Sequence, residues 1–185
     1  MPHSIEDIHV TVTHQYDARP RAVWTVLSDP AVARDALPAV RSTETASDGL
    51  VPDGLGAGSV VTGEESIEEG ERYAMVIASP LDRFPTEFQT YATVGEHRFP
   101  RLAVAIGGDG DHGSFDARME VEVEETPTGT TVEWSLVANV AGEVAEVSER
   151  AIQPVLAREA DRYFEAIETL VDSHAGSADS STGST

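Results

Sequence analysis

The sequence contains no cysteine and no lysine. Without cysteine the chain has no disulfide, no thiolate nucleophile and no thiolate ligand for a metal ion. All 12 basic residues are arginine, and they stand against 33 acidic residues, which gives a formal net charge of -21. This charge repels the phosphates of nucleic acids and anionic membrane surfaces, so we expect neither as a partner.

Long apolar runs are also missing. No segment approaches the ~20 apolar residues of a membrane span, and the first seven residues lack the basic and apolar regions of a signal peptide. The sequence has no phosphate-binding Gly-Lys motif, no dinucleotide fingerprint and no nucleophile elbow. We therefore predict a cytoplasmic protein with no membrane span and no cofactor.

The acidic residues are spread along the whole chain instead of forming one block. A specific cationic partner is one interpretation of this charge. The other is adaptation to high salt, where charge repulsion is screened within about 3 Å at molar ionic strength and carboxylates keep the protein hydrated. We favour salt adaptation, because diffuse charge is typical of solubility and not of a binding site.

The 185 residues, of which 40% are hydrophobic, are enough for one domain with a sizeable core. Apolar and polar residues alternate over residues 8–16, 115–124 and 130–141, which predicts strands with one buried face and one wet face. Further strands are predicted at residues 40–46, 59–67, 72–77, 87–94 and 101–106. Residues 47–58 and 107–113 are predicted to be loops.

Helices are predicted on both sides of these strands. Pro20 suits the first turn of a helix, and Asp29 can cap a second short helix that begins at Pro30. From residue 142 to about residue 172 the apolar residues recur at helical spacing, with a kink or a break predicted at Pro154. Residues 1–172 are thus predicted to form a single domain, and residues 173–185 a disordered tail.

Three segments resemble the START-like SRPBCC superfamily, which includes polyketide cyclases and lipid-transfer domains. Residues 16–24 (YDARPRAVW) and 27–30 (LSDP) resemble its opening, and residues 126–134 (TPTGTTVEW) resemble its penultimate hairpin. Residues 142–150 (GEVAEVSER) resemble the entry to its last helix, especially in the members related to carbon-monoxide dehydrogenase.

The resemblance implies an α+β helix-grip fold. In that fold a curved antiparallel sheet wraps around a long C-terminal helix, two short helices follow the first strand, and an elongated apolar pocket remains inside. The superfamily binds lipids, polyketides and similar molecules, so a small hydrophobic ligand is the expected partner.

The candidate ligand-binding residues are large side chains on the inward faces of the sheet and the helix. They are Tyr73, Met75, Phe115, Met119, Trp134, Ile152, Leu156 and Tyr163. The alternative for each of them is that it simply fills the core.

Catalytic candidates are weaker. His14 falls on the apolar face of the first strand near Tyr16, where an imidazole could act as a general base or orient a polar group of the ligand. A buried, hydrogen-bonded core histidine is the alternative. Asp109, Asp111 and His112 offer metal ligands, but they match neither a calcium loop nor a zinc site, so we expect no metal.

Three functions fit these features. The first is a carrier or sensor of a lipid, an isoprenoid or a polyketide-like molecule. The second is an accessory protein that docks on a larger complex. The third is an enzyme of the cyclase or dehydratase kind, with His14, Tyr16 or Tyr163 as acid or base. The sequence leaves the oligomeric state open.

Overall fold

A computed structural model of the protein describes residues 4–29, 32, 36, 40–45, 59–60, 69–79, 81, 87–147 and 149–179. In that part of the chain, eight strands form one antiparallel sheet. They are β1 (Ser4–Tyr16), β2 (Val40–Thr45), β3 (Ser59–Val60), β4 (Arg72–Ala78), β5 (Glu87–Arg98), β6 (Arg101–Gly110), β7 (Gly113–Thr126) and β8 (Gly129–Gly142). Their order across the sheet is β1-β8-β7-β6-β5-β4-β2-β3, so β1 and β3 are the open edges.

Helix α1 (Pro20–Leu27) follows β1 directly. Pro20 occupies its first turn, where a missing N–H breaks no hydrogen bond of the helix. After β8, a 3-10 turn (Glu143–Glu146) leads into the long helix α2 (Glu149–Asp179). Of the short helix predicted from Pro30, only Val32 and Ala36 are described, and both are helical.

The predicted α+β helix-grip fold is confirmed. Helix α2 lies against β1 and α1, and its residues Phe164, Ile167 and Val171 are fully buried together with Ile8 of β1 and Val132 of β8. Each fully buried side chain of this size contributes about 1.5–3 kcal/mol to folding. The core therefore lies between the curved sheet and the helix.

Two strands are longer than predicted, and the reason is the same for both. Strand β5 continues past Val94 to Arg98 through an irregularity at Gly95. Strand β6 continues to Gly110, so the predicted loop at 107–113 shrinks to a two-residue turn. Glycine-rich segments are typical of loops, but glycine also occurs in strands where a bulge forms or a neighbour comes close.

Helix α2 also differs from its prediction. It begins at Glu149 instead of residue 142, and it is not interrupted at Pro154, which lies in its second turn. It continues to Asp179, so the predicted disordered tail at 173–185 is wrong for residues 173–179. This extension includes Ala175 and Ala178, and alanine favours helix. The predicted loop at 47–58 and residues 180–185 lie outside the described residues.

Candidate ligand-binding site

The register of the strands defines the buried face of the sheet. Val12 on β1 lies opposite Trp134 on β8, and Trp134 lies opposite Val121 on β7. The same row continues through Leu102 on β6 to His97 on β5. Side chains of directly paired residues lie on the same side of a sheet. These five residues therefore share one face, which we call the inner face.

Several large apolar side chains on the inner face and on α2 are only half-buried, although they pack against the core. On the sheet these are Met75, Ile106, Met119 and Trp134, and on the helix Leu156 and Tyr163. Side chains that filled a closed core would be inaccessible to solvent. These residues therefore border space that solvent can reach.

Five of the eight candidate ligand-binding residues belong to this half-buried set. They are Met75, Met119, Trp134, Leu156 and Tyr163. Two others behave as core residues: Tyr73 is 7% exposed and Ile152 is 5% exposed. The Tyr73 hydroxyl also donates a hydrogen bond to the Glu71 carboxylate.

Phe115, the remaining candidate, packs at one end of the inner face. Its ring meets Phe88 edge-on at 5.3 Å between centroids, a favourable geometry for two aromatic rings. It also lies over Gly108, where a Cβ atom would come within 2.4 Å of the Phe115 ring. Gly108 therefore leaves the room that the phenyl ring occupies, a role that the sequence pattern did not reveal.

The comparisons with known proteins agree with this geometry. The profile of a family described as polyketide cyclase / dehydrase and lipid transport matches residues 7–171. The chain belongs to this family. Family and fold together indicate a protein that binds a hydrophobic ligand or is related to the polyketide cyclases. No curated protein matches the chain.

Solved structures share the family fold. A conserved protein from Geobacillus kaustophilus is similar with a TM-score of 0.68 at 15% identity, over 91% of this chain and 96% of that chain. A START superfamily protein from Mycobacterium smegmatis has a TM-score of 0.59 at 13% identity, over 89% of this chain and 97% of that chain. At these identities the likeness concerns the fold and not the ligand.

In this family member, His14 and Tyr16 lie side by side on the inner face of β1. Their ring centroids are 4.7 Å apart, and the His14 ring lies nearly parallel to Phe164 of α2 at 6.0 Å. The Tyr16 hydroxyl donates a hydrogen bond to the Phe164 backbone oxygen at 3.0 Å. Tyr16 thus ties the first strand to the last helix.

The two inward tyrosines resist ionisation. Burial, and after it the nearby Tyr163 and Glu168, raises the pKa of Tyr16 well above its ordinary value. Burial, and after it the Asp29 carboxylate, raises the pKa of Tyr163 to about 12. At neutral pH both side chains are therefore neutral hydroxyls, which can take part in hydrogen bonds but do not serve as bases.

An aromatic cluster joins α1 to the β5–β6 hairpin. Trp24 stacks on His97 with 5.3 Å between ring centroids and meets the Phe99 ring edge-on at 5.7 Å. The Arg21 guanidinium lies 4.0 Å from the Phe99 ring centroid. The sequence analysis placed residues 95–100 in a connection and so missed His97, because the irregularity at Gly95 turns it to the inner face.

Among the described residues, no group of three His, Asp or Glu side chains could hold a metal ion. His112 instead contacts the Glu143 carboxylate through Nδ1 at 2.7 Å, and its backbone oxygen accepts a hydrogen bond from Val144 N–H at 3.1 Å. His112 thus holds the β6–β7 turn against the 3-10 turn.

The outer face of the sheet offers little space. A hollow of about 30 Å³ lies there, between Arg101, Glu120 and Ser135, and this is the volume of about one water molecule. A lipid-sized ligand does not fit it. Among the described helices, none is long and apolar enough to cross a membrane.

Proposed function

We propose that this protein holds a small hydrophobic molecule between the inner face of the sheet and helix α2, as a carrier or sensor. The ligand is a lipid, an isoprenoid or a polyketide-like molecule. The observation that supports this proposal most strongly is the set of half-buried apolar side chains on both walls, Met119 and Trp134 on the sheet and Leu156 on the helix. Sites for such ligands are concave and mainly apolar.

The enzyme alternative has less support. A cyclase or dehydratase mechanism needs an acid or a base that can exchange a proton near neutral pH. The Tyr16 hydroxyl is engaged with the Phe164 backbone oxygen, and burial raises the pKa of Tyr16 and Tyr163. His14 remains as a candidate, but its described ring contacts are with Tyr16 and Phe164.

The docking alternative requires a contiguous exposed apolar patch. Among the side chains that the structure describes, Leu170 is the one large apolar residue classed as exposed, at 39%. A single residue of this kind is ordinary on a protein surface. The carrier or sensor function is therefore the better supported of the three.

Native mass spectrometry of the protein, purified gently from its own cells, tests the proposal. We expect a second species whose added mass, released on denaturation, belongs to an apolar small molecule. A matched sample extracted with organic solvent should lose this species and regain it when the extract is added back. A single ligand-free species that never takes up the extract would contradict the proposal.

A further inference from the structure

Two side-chain polar atoms of the described residues are closed off from solvent without a hydrogen-bond partner. They are Ser28 Oγ and His97 Nε2. Other buried polar groups are paired: Thr130 Oγ1 donates to the Ala18 backbone oxygen at 2.6 Å, and Thr90 Oγ1 donates to the Phe88 backbone oxygen at 3.2 Å. Buried polar groups without a partner are rare because they destabilise the folded state.

Both unpaired atoms belong to the same junction. His97 stacks on Trp24 of α1, with the two rings within 16° of parallel. Ser28 caps the same helix, and its backbone N–H donates to the Trp24 oxygen at 2.9 Å. Trp24 thus has His97 against its ring and Ser28 against its backbone. We call this place the α1–hairpin junction, defined by Trp24, Ser28, His97 and Phe99.

The α1–hairpin junction adjoins the proposed ligand space. His97 stands in the same cross-strand row of the inner face as Trp134. Trp24 and Phe99 are half-buried and pack against the same core as Met119 and Leu156. A ligand lying along the inner face therefore reaches the junction with one of its ends.

The chemistry of the two atoms suggests what that end carries. A serine hydroxyl and an imidazole nitrogen can each donate or accept a hydrogen bond. A carboxylate is disfavoured, because Asp29 directly follows Ser28 and the chain carries a net charge of -21. The guanidinium of Arg21, which could attract an anion, lies over the Phe99 ring instead. A neutral oxygen fits best.

We propose that the bound molecule carries a neutral hydroxyl or carbonyl oxygen at one end, and that Ser28 Oγ and His97 Nε2 hydrogen-bond this oxygen at the α1–hairpin junction. The inference rests on the proposed function. Because both atoms are closed off in the ligand-free molecule, a neighbouring side chain has to move. The half-buried Trp24 indole, stacked on the imidazole, is the group that moves.

Three probes with one ring system separate the possibilities: naphthalene, 2-naphthol and 2-naphthoate. Each displaces the neutral fluorescent probe N-phenyl-1-naphthylamine at neutral pH and fixed salt. We expect 2-naphthol to bind about tenfold more tightly than naphthalene, since it pairs two polar atoms that are otherwise unpaired. His97→Phe keeps the stacking on Trp24, and Ser28→Ala removes the hydroxyl. Each should reduce this preference to about twofold or less and leave naphthalene binding unchanged.

Matched controls lie on the outer face, where His9→Phe and Ser135→Ala should keep the wild-type preference. Neither junction variant breaks a hydrogen bond, so thermal midpoints should not fall. If the fluorescent probe and naphthalene both fail to bind, the proposed function fails and this inference fails with it. If they bind but 2-naphthol shows no advantage, or 2-naphthoate binds most tightly, the inference alone is overturned.

Discussion

At the scale of single residues, the Tyr16 hydroxyl makes a direct tie between the first strand and the last helix, through the Phe164 backbone oxygen at 3.0 Å. Tyr16→Phe removes this bond and leaves the ring in place. We expect the free energy of unfolding in urea to fall by about 1 kcal/mol. Tyr91→Phe is the matched control, because Tyr91 is half-buried on the outer face and its ring keeps the Arg72 contact. Equal effects of the two changes would contradict the tie.

The buried tyrosines also predict a pH dependence. Burial raises the pKa of Tyr16, and raises that of Tyr163 to about 12, whereas an unfolded tyrosine ionises near pH 10. Above about pH 10 the unfolded chain therefore loses protons that the folded chain keeps, and stability falls as the pH rises. Urea unfolding between about pH 8 and about pH 11 measures this. Tyr16→Phe should weaken the fall, and a flat profile in the wild type would be inconsistent with buried neutral tyrosines.

Some residues of the site could be predicted from the sequence and others could not. Met119 and Trp134 could, because they lie in long strands where one face is wet and the alternation is clean. His97 could not, because the irregularity at Gly95 shifts the register by one residue and moves His97 to the other face. Nor does alternation show whether an inward side chain is half-buried, as Met75 is, or buried, as Tyr73 is.

At the scale of elements, the corner between β8 and the 3-10 turn depends on two backbones lying close together. Gly142 has φ 89°, and a Cβ atom there would come within 2.7 Å of Gly113 Cα. Gly70 has nearly the same φ, 87°, but a Cβ atom there meets nothing within 4 Å. Gly70→Ala therefore measures the cost of the backbone conformation alone, about 1–2 kcal/mol.

Gly142→Ala should cost clearly more than Gly70→Ala, by about 1–3 kcal/mol in urea unfolding, because the corner has to open to make room for the methyl group. Similar losses for the two variants would show that the close approach is absent. The comparison holds φ nearly constant, so the difference reports the packing of the corner.

The elements themselves divide in the same way as the residues. Strands β7 and β8 and the start of α1 follow from alternation, from the turn at 126–129 and from Pro20. The end of β6 does not, because Gly108 and Gly110 are glycines in a strand that make room for the Phe115 and Phe88 rings. A loop and such a strand have the same local composition, and only the partner strand distinguishes them.

At the scale of the whole molecule, the net charge of -21 predicts a response to salt. Repulsion between like charges destabilises the compact state, and added salt screens it. We expect the thermal midpoint to rise steadily as KCl increases from about 0.1 M to about 3 M, as adaptation to high salt requires. Sucrose at matched water activity controls for general exclusion of solute. A midpoint that is highest at low salt would contradict this interpretation.

The central claim is that an apolar molecule occupies space between the inner face and α2. Ala117 lies on the inner face, half-buried and packed against the core, so Ala117→Phe should fill part of that space. Ala105 is exposed on the outer face of the neighbouring strand, and Ala105→Phe is the matched control. Titration with N-phenyl-1-naphthylamine tests the claim most directly. We predict that Ala117→Phe weakens binding at least about tenfold while Ala105→Phe binds like the wild type, and equal binding by all three proteins would contradict the claim.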